Sequence, residues 1–313
     1  MHFIKMIYFR LFRFTALFLI VLGCLILIIE RPGIILLAHG APNITKCSTD
    51  RMARENCRQK PNEWNEEVLK LGRHLNWLVP TEIAFGMAKK ESIQKSLKKL
   101  SGRVKRVIVV PLFISEHSPI IRKLKVLLPR LSNKLIDQKK LPKVSSLTQT
   151  LEGDILVSKI LHDRVYLLRK KNTQNTVVII AHGPNSEQDN KEQLKAMQSH
   201  VRYLGKKIPD IKVFTITHRN DAHELVKLQA KIEFRMLVEK NSYEGNVIVL
   251  PLLLSKGGIE KELLNDLEGL TFSMGHPLLP HSNINLWIWK KYLTSWMQSI
   301  FLATKRSVGQ YHE

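Results

Sequence analysis

One passage of this chain is written twice. Gly33-Ile34-Ile35-Leu36-Leu37-Ala38-His39-Gly40 is a short apolar run that closes on a small polar turn. Val177-Val178-Ile179-Ile180-Ala181-His182-Gly183 repeats it, with Pro-Asn close behind in both places. A second pair follows in the same order: Val107-Ile108-Val109-Val110-Pro111-Leu112-Phe113-Ile114-Ser115 and Val247-Ile248-Val249-Leu250-Pro251-Leu252-Leu253-Leu254-Ser255. From His39 to Pro111 is 72 positions, and from His182 to Pro251 is 69. Two motifs recurring in order at near-equal spacing mark an internal duplication, so one small unit has to account for most of the fold.

Unbroken apolar runs of this length read as strands buried on both faces, which is the habit of parallel sheets. Amphipathic stretches lie between them. Glu63 to Leu78 carries Trp64, Val68, Leu71, Leu75 and Leu78 at helical spacing, and Ser92–Leu100 and Ile120–Leu135 are basic amphipathic segments. Thr81–Phe85 and Val213–Thr217 read as further strands. Strands alternating with helices predict an α/β chain: two duplicated, doubly wound parallel-sheet domains behind an N-terminal membrane segment. The expected division is 1–32 for that anchor or signal segment, 33–170 for the first repeat, and 171–313 for the second repeat with its C-terminal helix. The apolar fraction of 44% is enough for real cores.

The N-terminal segment has Lys5, Arg10 and Arg13 before an apolar run from Phe14 to Ile29, closed by Glu30-Arg31-Pro32-Gly33. That is the layout of a signal peptide or signal anchor. The run is shorter than the roughly 20 residues that span a bilayer, but Met6–Phe12 is also largely apolar. Val21-Leu22-Gly23-Cys24 loosely resembles a lipoprotein cleavage box, although Leu25–Ile29 stays apolar beyond it. An uncleaved anchor is the preferred reading. The basic flank then places the globular part outside the cytoplasm, where Cys47 and Cys57 could pair; two unpaired thiols is the equal alternative.

The formal net charge of +22 calls for an anionic partner. Between Lys89 and Lys143 stand sixteen Lys or Arg against Glu91, Glu116 and Asp137. A polycarboxylate small molecule or an anionic membrane fits that stretch. Nucleic acid is not expected, because no stacking aromatics interleave with the charges.

Ligands of parallel α/β sheets bind at the carboxyl ends of the strands. His39 ends the first strand, and His117 follows a later one in Ser115-Glu116-His117. Neutral imidazoles there suit cobalt, iron, nickel or zinc, and a ring nitrogen can also take a proton from a substrate.

At these residues the chain resembles the sirohydrochlorin chelatases of the CbiX type. The His-Gly strand ending, the Pro-Leu-Phe strand and their spacing carry the resemblance. Thr81-Glu82-Ile83-Ala84-Phe85 is similar to the family's Val-Glu-x-Ala-Phe strand. Leu151-Glu152-Gly153-Asp154 with Asp163-Arg164 resembles its Leu-Gly-x-Asp…Asp-Arg stretch. Leu278-Leu279-Pro280-His281-Ser282-Asn283-Ile284 before Trp287 resembles the family's end, and Ser115-Glu116-His117 echoes the related protoporphyrin ferrochelatases.

The resemblance implies a lyase that inserts a divalent metal into an anionic tetrapyrrole. His39 and His117 would be its metal ligands and proton acceptors, and Glu82 and His182 lesser candidates. The loop after His117 departs from the pattern, with Ser118-Pro119-Ile120-Ile121 where the family has Asp-Ile-Pro, and Pro119 where ferrochelatases have a carboxylate. The second half lacks a counterpart of His117, because Ser255-Lys256-Gly257-Gly258 stands there. The alternative is therefore a membrane-anchored metal or tetrapyrrole binder without turnover. A metal-dependent hydrolase finds no motif.

Overall fold

Every residue of β1 (Gly33–Ala38) is buried, as a strand covered on both faces requires. A computed structural model describes residues 31–40, 44–46, 58–60, 65–86, 89–136 and 141–309. After β1 come a two-stranded antiparallel ribbon, β2 (Ile44–Lys46) with β3 (Arg58–Lys60), then α1 (Glu66–Asn76), β4 (Thr81–Phe85) and α2 (Lys90–Leu100). They are followed by β5 (Arg106–Pro111), α3 (Pro119–Ile136), β6 (Lys143–Leu147) and α4 (Ile155–Leu168). The rest of the chain runs through β7 (Asn175–His182), α5 (Glu187–Lys207), β8 (Ile211–His218), α6 (Glu224–Ser242) and β9 (Asn246–Leu252). It closes with α7 (Gly258–Asp266), β10 (Ser273–Met274) and α8 (Ser282–Gly309).

The two larger sheets are four-stranded, in the orders β4-β1-β5-β6 and β10-β9-β7-β8. All their pairings are parallel. Matching β1 with β7, β4 with β8, β5 with β9 and β6 with β10 makes the two orders identical. The sequence repeat is therefore a repeat of topology.

Alternation along the strands sorts the core into three parts. Ile34, Leu36 and Ala38 of β1 share a central core with Val177, Ile179 and Ala181 of β7. Ile35 and Leu37 face a separate core under α2 and α3, and Val178 and Ile180 face a third under α6. Side chains of α1, α4, α5 and α8 fill the central core between the sheets. Two of these helices cross over. α4 packs against β9 of the second sheet, and α8 packs against β5 of the first. Polar contacts fix both crossings: Arg164 of α4 donates to the carbonyls of Pro277 and Pro280, and the Tyr292 hydroxyl of α8 donates to Pro32 O at 2.9 Å.

Between α4 and α5 the central core holds one buried polar pair. His200 is 1% exposed, and its Nδ1 lies 2.7 Å from Ser158 Oγ. Burial pushes the His200 pKa down from 6.5 to about 4, against the opposing field of Asp154. The folded chain thus keeps this ring neutral, while the unfolded chain protonates it below its ordinary pKa. Stability contributed by the neutral ring is present above about pH 6.5 and is lost as pH falls towards 4, a total of roughly 3 kcal/mol at 1.36 kcal/mol per unit. The urea midpoint is expected to drop between pH 7 and pH 4.5, and His200→Gln to flatten that drop. An equal slope in the variant would show that other groups set it.

The apolar N-terminal run and all three cysteines lie outside the described residues, so the expected anchor and the Cys47–Cys57 pairing are not addressed. Among the described residues no helix is long and apolar enough to cross a membrane. The aromatic C-terminal stretch packs inward at its start, with Trp287, Ile288 and Tyr292 in the central core.

Candidate metal and tetrapyrrole site

Parallel strands force their connecting helices to run back, so helix N-termini gather at the carboxyl edges of the sheets. His39 stands at that edge on β1, and His117 stands at the same edge in the loop from β5 to α3. β1 and β5 are hydrogen-bonded neighbours.

The His-Gly pair has a physical reason in both repeats. Gly40 has φ of +66°, and a Cβ there would lie 2.5 Å from the Phe85 ring. A Cβ on Gly183 would lie 2.8 Å from Thr217 and Arg219. The glycine carbonyl then meets the preceding ring: His39 Nδ1 is 3.0 Å from Gly40 O, and His182 Nδ1 is 3.0 Å from Gly183 O. A carbonyl can only accept, so the neutral ring carries its proton on Nδ1 and its lone pair on Nε2. His39 is exposed, and among the described residues its Nε2 has no partner. An imidazole lone pair in this state can in general accept a metal ion or a proton. His182 Nε2 instead faces Asp221 Oδ2 at 3.2 Å. The second repeat thus keeps the motif with its Nε2 set against a carboxylate. Buried Arg219 braces the loop after His182 through the Pro184 and Asn185 carbonyls and Glu187.

His117 is held differently. Its Nε2 lies 3.6 Å from Glu152 Oε2. Glu152 comes from the loop after β6 and is fixed by the Ser115 hydroxyl and the Glu116 amide, each donating at 3.2 Å. Burial raises the Glu152 pKa, and His117 is the first of the groups that oppose the rise. Sequence reasoning did not single out this carboxylate. Its signal was there: an acid in Leu151-Glu152-Gly153-Asp154 at the place where the resembling pattern has glycine. Glu152 restores a carboxylate beside the second histidine, which Pro119 had seemed to remove.

Glu82 does not join the histidines. It is level with Ile35 near the start of β4, while His39 is level with Gly86. Four residues of strand separate them, about 13 Å along the axis. Its carboxylate is bound by Lys99 of α2 at 3.0 Å. No group of three or more His, Cys, Asp or Glu among the described residues is placed to hold a metal.

The basic stretch is divided by the fold. Lys98 and Lys99 end α2, and Arg103 follows in the next turn, all at the amino edge far from His39. Cations reach the site edge at the start of α2, where Lys89 lies beside Gly86, whose amide donates to the His39 carbonyl at 2.9 Å, and at the start of α3. There Lys125 pairs with Glu116 at 2.9 Å. Arg122 donates to the His117 carbonyl at 2.7 Å and binds Asp189 on α5 through both carboxylate oxygens, at 3.0 and 2.9 Å.

Neither a family profile nor a curated protein matches the sequence. Solved structures do match its fold. The sirohydrochlorin chelatase SirB from Bacillus subtilis subspecies spizizenii, in complex with cobalt, is similar at a TM-score of 0.54 and 14% identity, over 85% of this chain and 95% of that one. SirB from Bacillus subtilis with Fe3+ gives 0.51 at 15% identity, over 90% and 98%. CbiX, described as the terminal enzyme of siroheme biosynthesis in denitrifying bacteria, gives 0.50 at 12% identity, over 84% and 98%. The chain therefore has a chelatase-like α/β fold with two parallel four-stranded sheets.

Proposed function

We propose that this protein is a tetrapyrrole metal chelatase that inserts Co2+ or Fe2+ into a carboxylate-rich, sirohydrochlorin-like macrocycle. The observation that carries the proposal is His39: an exposed ring, its Nδ1 proton held by Gly40, its Nε2 without a partner among the described residues at the carboxyl edge of a chelatase-like sheet. Metal insertion exchanges two pyrrole protons for one divalent ion. His39 Nε2 can hold the incoming metal and then take one proton. The His117–Glu152 pair stands on the neighbouring loop to take the other.

The metal is substrate in this reading. Cobalt and iron are favoured because the similar structures hold them. Nickel and zinc suit the same imidazole chemistry. A membrane attachment through residues 1–32 remains part of the proposal and rests on their sequence pattern.

A second reading has a specific observation behind it. With no third clustered ligand among the described residues, and with His117 turned towards Glu152, the site can hold a metal or tetrapyrrole without exchanging them. One experiment separates the two. The full chain is mixed with Co2+ or Fe2+ and sirohydrochlorin under anaerobic conditions, and the macrocycle spectrum is followed. Insertion above the spontaneous rate supports the chelatase. Stoichiometric binding at the spontaneous rate supports the carrier. Neither binding nor insertion would end both readings.

A further inference from the structure

Arg122 sits at the wrong end of its helix. It is the fourth residue of α3, where the helix dipole disfavours a cation. Asp189, the third residue of α5, is at the favoured end, with its amide donating to the Ser186 hydroxyl that caps the helix. The two helices belong to different repeats. The pair between them therefore ties the first half to the second across the carboxyl edges of both sheets. It is a planar fork on a carboxylate, the strong geometry for this chemistry. The Arg122 side chain is 54% exposed and that of Asp189 15%, so the cation is open to an arriving ligand while its carboxylate is covered. The same guanidinium holds the His117 carbonyl.

From this arrangement we infer that Arg122 is a carboxylate-exchange residue. In the empty protein Asp189 occupies the fork and clasps the halves together. A substrate carboxylate offers the same two oxygens and replaces Asp189. The clasp between the halves opens as the ligand is seated, and Arg122 keeps its bond to the His117 loop. The ligand's acidic side chains, rather than its ring, thus control whether the cleft is latched. This inference rests on the tetrapyrrole reading and assigns that site its carboxylate-recognising residue.

The test is a fluorescence titration of the full chain with metal-free uroporphyrin, which bears eight carboxylates, and with its octamethyl ester. Asp189→Asn frees the fork without changing its shape, and uroporphyrin is expected to bind it several-fold more tightly than wild type. Arg122→Gln is expected to bind about tenfold more weakly, the scale of a lost charge-assisted pair. Arg122→Lys keeps the charge and loses the fork, and is expected to fall between Arg122→Gln and wild type. The octamethyl ester is expected to bind all four proteins alike. Far-UV circular dichroism verifies that each variant is folded.

Binding weakened by Asp189→Asn as much as by Arg122→Gln would overturn the exchange, since the clasp would then be a fixed part of the site. Equal binding of uroporphyrin by all four proteins would overturn it too, and would leave the tetrapyrrole reading standing. Failure of wild type to bind uroporphyrin at all would instead remove the tetrapyrrole reading, and the exchange with it.

Discussion

His39→Ala is expected to lower metal insertion by about 100-fold or more, the scale of a lost proton acceptor in the transition state, while the chain melts within about 2 °C of wild type. The two halves of that expectation have separate causes. The ring is exposed and its one bond among the described residues runs to the next residue's carbonyl, so its removal leaves no cavity and no orphaned buried group. Its Nε2, by contrast, has no partner among the described residues and is the nitrogen the proposed reaction would use. His182→Ala is the internal control. The same motif in the second repeat has Nε2 against Asp221, and removing it is expected to cost much less activity. Initial insertion rates and melting curves for the two variants check both statements. If His182→Ala were the more damaging, the working half would be the second one.

Trp287→Ala is expected to destabilise the chain by about 3–5 kcal/mol, the usual cost of removing a large aromatic from a packed core. Trp287 is 0% exposed and sits in the central core, on a helix that comes from the second repeat and packs on the first sheet. Its indole nitrogen has no hydrogen-bond partner among the described residues, and Lys291 Nζ lies 5.8 Å from the ring centroid, so the expected loss is packing with a small cation–π share. Because the central core is common to both sheets, urea is expected to unfold the variant in one transition at a lower midpoint, with both halves failing together. A near-neutral midpoint, or two separate transitions, would show that α8 is not integral to the core.

The duplicated strands were legible in the sequence because a parallel strand buried on both faces must be apolar at every position. A run such as Ile34 to Ala38 therefore has few other readings. The His-Gly turns were legible for a similar reason, since Phe85 and Thr217 leave room only for glycine after each histidine. What lay hidden were unions across sequence distance. Glu152 reaches His117 from the loop after β6, and Asp189 reaches Arg122 from the other repeat, with no periodicity to announce either. Charge density misled in one respect. The stretch from Lys89 to Lys143 looked like one basic surface around His117, but a helix antiparallel to its strands sends half of it to the far edge. The placement of Glu82 was hidden in the same way, because its neighbours in sequence resemble a site strand while its level in the sheet lies about four residues from His39.

The crossing of α4 and α8 gives the duplication an unusual character. Each repeat lends its last helix to the other, as two subunits do in a swapped dimer, and the link between them is the exposed stretch from Arg169 to Gln174. Covalent continuity there contributes proximity, and Asn175 holds the link down by hydrogen bonds to Lys170 and Thr173. The chain is, in effect, a dimer made obligatory by a tether. Its two copies are not alike at the carboxyl edge: His39 is exposed, while His182 Nε2 faces Asp221.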